Sequence, residues 1–228
     1  MNDLLDFHLI RSKRRRKTIS LHIKEGGNIV IHAPHQASKR EIEEFIRERK
    51  TWVVEKLAEE KERRKELQKA FVPGEKFLYL GEWYPLEIDG SDNNELPLKL
   101  SFGNFVLNRG RVEGARNLFV EWYKREAKEK IEGRVRYYSD RFHLFPKGTR
   151  ITGAKSRWGS CSRDNRLSFS WRIIMAPLRI IDYILVHELV HIKEKNHSRN
   201  FWAALENILP DYRERRIWLR KNGHRLWL

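Results

Sequence analysis

The segment that most constrains the fold is the apolar stretch from Pro177 to about Glu194. Its spacing predicts a helix, with Pro177 at the favoured first position. Apolar side chains occupy nearly every face of that helix: Ile180, Ile181, Ile184, Leu185, Val186, Leu189, Val190 and Ile192. A helix that is apolar all round has to be buried. We therefore expect the rest of the chain to enclose this segment.

The same helix carries ionisable side chains in the sequence HELVH at 187–191. Positions i and i+4 share one face, so His187 and His191 can bind one metal ion together. Glu188 is rotated by about 100° and can reach a water molecule on the metal as a general base. An accidental spacing is the alternative, but burying such groups costs several kcal/mol unless they are paired or coordinated. We expect a catalytic zinc ion, which suits imidazole ligands and an open fourth position.

A catalytic zinc site usually has three protein ligands. We expect His197 to be the third, because the chain must turn after the helix and can fold back toward the metal. Glu194 and Glu206 are the alternatives, since many zincins use a glutamate. The histidine spacing matches the metzincin pattern, but that pattern needs glycine where Glu194 stands and a methionine downstream. Met1 and Met175 both lie upstream, which excludes a metzincin.

Charge and cysteine content limit the partners, the kinds of metal site and the cellular locations that are possible for this chain. Lysine and arginine outnumber aspartate and glutamate by 47 to 31, a formal net charge of +16 that favours anionic partners. Cys161 is the only cysteine, so an internal disulfide and a four-cysteine zinc site are both excluded. The N-terminus lacks the order of a secretion signal, and no apolar run approaches the length of a membrane span. We expect a cytoplasmic protein with no membrane association.

The first half of the chain alternates strand and helix patterns. Residues 7–33 resemble a β-hairpin with a turn at 26–28, and Ser38 with Glu41 predicts a capping box for a long helix from about Lys39 to Lys69. Four short strands are predicted within residues 76–107, followed by a helix from about Val112 to Phe142.

The last third predicts two strands, Ile151 to Ser156 and Arg166 to Ile174, joined by a polar connection. After the apolar helix come a helix from Ser198 through Ile208 and a basic amphipathic helix. These patterns predict an α+β fold. We expect an N-terminal β-rich region with a long charged helix over 1–110 and a metal-binding core over 111–228, or one continuous domain.

Several short motifs together resemble the YgjP-like metallopeptidase family, which is related to SprT-like zincins. The motifs are KSRWGSCS at 155–162, Trp171-Arg172, Ala176-Pro177, Tyr183, HELVH at 187–191 and NHSRNFW at 196–202. The resemblance implies a zincin-like C-terminal catalytic core. It also implies that His187, His191 and His197 are the ligands and that Glu188 is the catalytic acid/base.

Residues around the motif are weaker candidates. Arg157, Ser160 and Asn196 are candidate substrate-binding residues that could stabilise negative charge, or they could be turn residues. Residues 166–174 are either an edge strand that pairs with an extended peptide or an interior strand. Trp158 and Trp202 are expected in the core, with contact to substrate as the alternative. Cys161 is expected to be a small packed residue, with a metal ligand or nucleophile as the alternative.

Three functions remain open. The first is a zinc peptidase that acts on a peptide or protein, and the second is a zinc enzyme that hydrolyses a nucleotide phosphoanhydride. The third is a nucleic-acid-associated module with a structural metal, for which the basic runs at 11–17 and 213–225 could contact phosphates. The sequence indicates neither the physiological substrate nor the oligomeric state.

Overall fold

Two hydrophobic clusters organise the chain. The computed structural model describes residues 6–23, 28–67, 69–90 and 96–228 and, for 59–67, the backbone alone. The chain divides into two compact units, Met1–Gln68 and Lys69–Leu228, and each has its own cluster of buried apolar side chains. Helices and sheets are both present, which confirms the predicted α+β class. The expected division near residue 110 stays a prediction.

The first unit contains a three-stranded sheet formed by β1 (Phe7–Ser12), β2 (Ser20–Ile23) and β3 (Ile29–Pro34), in the order β1-β3-β2. The predicted hairpin is confirmed by the antiparallel pairing of β2 with β3, and its turn at 26–27 lies outside the described residues. The parallel pairing of β1 with β3 was not predicted. From the basic run, Arg11 donates hydrogen bonds to the carbonyls of His35 and Ala37, so this arginine binds backbone.

The predicted long helix is two helices, α1 (Lys39–Glu48) and α2 (Lys50–Leu67). The capping box of Ser38 and Glu41 is present as predicted. The prediction of one helix was wrong at Arg49, whose guanidinium lies 3.9 Å from the Phe45 ring centroid and donates to the Phe45 carbonyl. These contacts satisfy carbonyl groups at the end of α1, where the backbone of Arg49 departs from the helical conformation.

The second unit begins with a four-stranded sheet, and its strands confirm the predicted ones to within two residues. They are β4 (Lys76–Tyr79), β5 (Glu82–Asp89), β6 (Leu98–Ser101) and β7 (Asn104–Asn108), in the order β4-β5-β7-β6. A 3₁₀ helix, Arg109–Gly114, leads into the long helix α3 (Ala115–Phe142), which buries Phe119, Trp122 and Tyr123.

The C-terminal third contains a second small sheet formed by β8 (Gly148–Thr152), β9 (Gly159–Cys161) and β10 (Arg166–Ser170). Its order is β8-β10-β9, so β10 is the interior strand and β9 lies at an edge. The predicted strand 166–174 was too long, because Trp171–Met175 form a 3₁₀ helix. The polar connection between the predicted strands itself contains β9.

The apolar segment forms α4 (Leu178–Val190), which is buried from Ile180 onward as expected, apart from the half-buried His187. It packs against α3, β9, α5 (Arg199–Ile208) and α6 (Tyr212–Asn222). The turn between β4 and β5 fixes its start, because the amide of Gly81 donates to the Met175 carbonyl at 3.0 Å. Gly81 has φ +91°, and a Cβ there would lie 2.8 Å from Pro177 Cγ. No helix among the described residues is long and apolar enough to cross a bilayer.

Candidate metal centre

Two histidines lie on one face at the end of α4. The ring centroids of His187 and His191 are 5.1 Å apart, as i, i+4 spacing requires. The helix ends at Val190, four residues earlier than expected, and His191 is its C-cap. The amides of Lys193 and Glu194 both donate to the Val190 carbonyl, which turns the chain back on itself.

This turn brings His197 beside the other two histidines. Its Nε2 lies 3.0 Å from Nε2 of His187, and its ring centroid lies 4.7 Å from that of His191. One nitrogen from each of the three imidazoles lies within 4.8 Å of the others. Ser198 caps α5 by accepting from the Phe201 amide, so the residue after His197 fixes the start of the next helix.

Aromatic rings pack against the three histidine rings. Phe201 is fully buried, and its ring centroid lies 4.6–4.9 Å from those of all three imidazoles. Trp202 stacks on His197 at 5.7 Å and on Tyr212 at 5.5 Å. Trp202 is therefore part of the packing that orients His197. The sequence had indicated a core position for Trp202, or a contact with substrate, but not this contact with His197.

The two alternative ligands lie in other contacts. Glu194 supplies its backbone carbonyl, which accepts a hydrogen bond from Nδ1 of His191 at 2.8 Å. Glu206 forms an exposed ion pair with Arg213 at 3.3 Å. Neither carboxylate belongs to the metal-ligand group found among the described residues.

The imidazoles of His187 and His197 are held in the neutral form that a metal requires. Burial, followed by the charges of His191, His197 and Arg216, lowers the pKa of His187 to about 3. Burial, followed by His191 and Arg216, also lowers the pKa of His197. Neutral imidazoles have a free lone pair each, so this cluster can accept a cation at neutral pH.

Second contacts of the rings also fit a divalent ion. The hydrogen bond from His191 Nδ1 to the Glu194 carbonyl leaves Nε2 of that ring as the free donor atom, an arrangement typical of metal-binding histidines. His187 lacks such a contact among the described residues: its Nε2 faces His197, and its buried Nδ1 has no hydrogen-bond partner. A buried polar atom without a partner costs about 1–3 kcal/mol. The three-imidazole donor set suits zinc, copper, iron or nickel better than a hard cation.

Glu188 lies against β9 and is not part of the histidine group. Its side chain is only 8% exposed. Burial raises the pKa of Glu188 to about 7, while a backbone hydrogen bond from Cys161 and the charge of Arg157 act in the opposite direction. A carboxyl group with this pKa can both accept and release a proton near neutral pH.

Gly159 lets Glu188 approach the strand. A Cβ at position 159 would lie 2.7 Å from Cγ and 2.9 Å from Oε1 of Glu188. Real Cβ contacts are longer than this, so only glycine fits without moving the carboxylate. Sequence reasoning missed this role, and the only signal was a glycine within the strongly marked run 155–162.

The weaker candidates are placed differently from one another. Arg157 is exposed and close enough to Glu188 to affect the pKa of that carboxyl. Ser160 pairs with Ser168 of β10 and so belongs to the opposite sheet face from Gly159. The Asn196 side chain accepts a hydrogen bond from the Ser198 amide at 3.2 Å, a local turn contact beside His197.

A cation from the last helix also reaches this region. Arg216 of α6 lies 5.1 Å from the Trp202 ring centroid and lowers the pKa of His187 and His197, after burial and the neighbouring imidazoles. The sequence had shown it only as one of several basic residues at 213–225. Cys161 is half-buried, and burial raises the pKa of its thiol, which agrees with the expected packing role.

Comparison with known proteins assigns the family. The profile of the YgjP-like metallopeptidase domain matches residues 17–222, nearly the whole chain. The chain belongs to the YgjP-like family. This confirms the resemblance drawn from the motifs, and the histidine cluster and Glu188 lie within the matched YgjP-like domain.

A solved structure, the metallopeptidase zymogen of Pyrococcus abyssi abylysin, is similar to part of this YgjP-like chain. The similarity covers 40% of this chain and 93% of that one, with 23% sequence identity and a TM-score of 0.36. Among curated proteins, none matches the chain.

Proposed function

We propose that this protein is a zinc-dependent metallopeptidase that hydrolyses a peptide bond at the histidine cluster. The observation that carries the proposal is the convergence of His187, His191 and His197 beside a buried glutamate that is not part of their group. Three protein ligands leave a coordination position open, which is typical of catalytic zinc sites, whereas structural sites are usually closed by four.

In this proposal His187, His191 and His197 hold the metal, and Glu188 handles protons. Zinc, when bound, supplies Lewis acidity that polarises a carbonyl oxygen and lowers the pKa of water toward about 7. Glu188 accepts the proton of the attacking water at its carboxylate and passes it to the leaving amine. Its pKa of about 7 suits both steps, because a general base is most effective when its pKa lies near the working pH.

The free edge of β9 supports a peptide as the substrate. This strand pairs only with β10 among the described residues, so its other edge has no partner strand. The Cys161 amide, which faces that edge, donates to the Glu188 carboxylate. Backbone pairing with an exposed edge is a common way to bind peptides without a fixed sequence. Gly159 and Cys161 of this strand contact Glu188, which places an added strand beside the proton-transfer group.

Arg216 is the cation we propose to face negative charge that develops on the substrate. It lies over Trp202, which stacks on His197, and it makes no ion pair with a described carboxylate. An unpaired arginine beside a cation site opposes metal binding, so its position is favourable only when an anion is also present.

Hydrolysis of a phosphoanhydride is the second candidate, and the net charge of +16 is the observation that favours it. A peptidase and a nucleotide hydrolase would share the metal and Glu188 but differ in substrate. Nucleic acid as a partner stays a prediction from the basic runs.

The test is a screen of zinc-loaded protein against unfolded polypeptides and against nucleoside triphosphates, with and without chelator. We expect chelator-sensitive peptide cleavage. Glu188→Gln should retain zinc and lower kcat by about 10²–10⁴-fold, the usual contribution of general acid–base catalysis. Glu206→Gln, which changes an exposed carboxylate on α5, is the matched control and should remain active. Turnover of nucleotides alone would replace the proposal by the second candidate, and an active Glu188→Gln would remove it.

A further inference from the structure

A basic cavity lies on the outer face of the small sheet, behind the strand that contacts Glu188. Its volume is about 80 Å³. Side chains from β8, β10 and the segment before β9 line it, including Arg150, Arg157, Ser168 and Ser170. The lining residues, all in the described part of the chain, include two arginines and no acidic residue.

Only some of the hydrogen-bond donors in this cavity are bonded to other groups of the protein. Nε of Arg150 donates to Oγ of Ser168 at 2.7 Å, which leaves the outer nitrogens of the guanidinium and the hydroxyl proton of Ser168 free to donate. Neither Arg150 nor Arg157 forms an ion pair with a described carboxylate. Two guanidinium groups and a hydroxyl around a small cavity form a site suited to a carboxylate or phosphate.

The cavity and the proposed catalytic group are separated by one strand. Gly159 lines the cavity, and a Cβ on Gly159 would touch Glu188. Gly159 pairs with the core residue Phe169, whereas Ser168 and Ser170 belong to the other face of the sheet. Glu188 therefore lies on one face of β9, and the cavity opens on the opposite face.

A peptide added to the free edge of β9 would meet both faces. Side chains of a strand alternate between the two faces of a sheet. If one residue of the substrate faces Glu188, the residue next to it faces the side that carries Arg157 and Arg150. The cavity can therefore bind the side chain of the substrate residue next to the scissile bond.

We propose that this cavity is a specificity site that binds an acidic side chain next to the scissile peptide bond of the substrate. The proposal rests on the peptidase function proposed above and adds a substrate class to it: peptides with glutamate or aspartate beside the cleavage point.

The experiment varies one peptide position and two arginines. Starting from a peptide that the protein cleaves, each residue flanking the scissile bond is changed among Glu, Gln and Lys. The C-terminal carboxylate is also compared with its amide. We expect Glu to be preferred over Gln at one flanking position by about 10- to 100-fold in kcat/KM, the value of a charge-assisted hydrogen-bonded pair.

Arg150→Gln and Arg157→Gln should each remove most of this preference, measured as the ratio of kcat/KM for the Glu and Gln peptides. Arg150→Gln should leave cleavage of the Gln peptide within about twofold. Arg157 acts on the pKa of Glu188, so its variant is judged by the ratio alone. Unchanged zinc content shows that both variants fold. Arg163→Gln is the matched control, because Arg163 is exposed in the turn between β9 and β10 and does not line the cavity.

Each outcome decides a different claim. Peptide cleavage without an acidic preference, or a preference that survives both arginine variants, overturns the cavity proposal but leaves the peptidase proposal intact. A preference only for the free C-terminal carboxylate assigns the cavity to a chain terminus and also overturns it. If no peptide is cleaved, binding of the Glu and Gln peptides to zinc-loaded Glu188→Gln protein is measured by calorimetry. Equal or absent binding then rejects the cavity site as well.

Discussion

Helix α4 carries buried ionisable groups at two places, and their surroundings differ. In its first half Asp182 is 6% exposed, and its two carboxylate oxygens accept hydrogen bonds from Nε and Nη2 of Arg134 at 2.7 and 2.6 Å. At its end, His187 keeps a buried nitrogen without a hydrogen bond, and Glu188 has no cation in direct contact among the described residues.

This difference in surroundings indicates which ionisable side chains stabilise the fold and which are available to bind a ligand. A buried carboxylate with a bidentate arginine is a closed pair, and it has no remaining capacity for chemistry. The neutral imidazoles of His187 and His197, and a buried glutamate whose pKa is raised, have unmet capacity for a cation and a proton. The same helix thus has one site that holds the fold together and one that we assign to catalysis.

The largest expected effect comes from breaking the closed pair. Asp182→Ala leaves Arg134 without its partner, and removal of one member of a buried ion pair typically costs about 3–5 kcal/mol. We expect the free energy of unfolding in denaturant titration to fall by that amount while the zinc content of the folded fraction is unchanged. Replacing both residues, Asp182→Leu with Arg134→Met, should recover most of the loss. A loss of zinc in the folded Asp182→Ala protein would mean that the two sites are not separate.

A smaller effect is expected at Gly159, which makes room for the Glu188 side chain. Gly159→Ala should keep zinc bound but lower kcat by about 10- to 100-fold, since displacement of a catalytic group by about 1 Å can cost 10²-fold. The matched control is Gly133→Ala on α3, where a Cβ would meet nothing within 4 Å. That variant should be fully active and more stable by about 0.5–1 kcal/mol. Full activity in Gly159→Ala would contradict the assigned contact with Glu188.

Arg216 and Arg213 form the next comparison, on one helix. Both lie over aromatic rings, but Arg213 is paired with Glu206 and Arg216 makes no ion pair with a described carboxylate. Arg216→Gln should lower kcat by about tenfold, with little change in KM, if the cation acts on charge that develops during the reaction. Arg213→Gln should have little effect. If the two variants had the same kcat and KM, Arg216 would have no role in the reaction.

A separate effect, on stability and not on catalysis, is the pH dependence of stability in metal-free protein. The pKa of Glu188 is raised from 4.5 to about 7, so its contribution is fully present below pH 4.5 and is lost as the pH rises through 7. The lowered pKa of His187 acts in the opposite direction, since that contribution is lost on acidification. Glu188→Gln should therefore lose stability relative to the wild type as the pH falls from 7 to 4.5, by up to about 1.4 kcal/mol per pH unit. Parallel pH profiles would show that Glu188 is not buried as described.

The features that the sequence predicted were those encoded locally. The burial of α4, the shared face of His187 and His191, and the capping box at Ser38 follow from spacing along one helix. The return of His197 was expected from the need to turn after the helix, and the structure places it beside the other two.

The features that were missed depend on contacts between distant segments. The partner of Asp182 is 48 residues away on α3, and no periodicity within either helix points to it. The three-residue strand β9 lies in a polar segment and is defined by pairing with β10, so no local pattern marked it as the edge strand. The closeness of Gly159 to Glu188 is a tertiary contact for the same reason.

The most direct measurement is the metal content of freshly purified protein by elemental analysis, for the wild type and for the double variant His187→Ala/His191→Ala. We predict one zinc ion per chain in the wild type, retained in Glu188→Gln and absent from the double variant. A wild-type protein purified without chelator that contains no stoichiometric metal, or a double variant with the same metal content as the wild type, would contradict the assignment of these imidazoles as ligands.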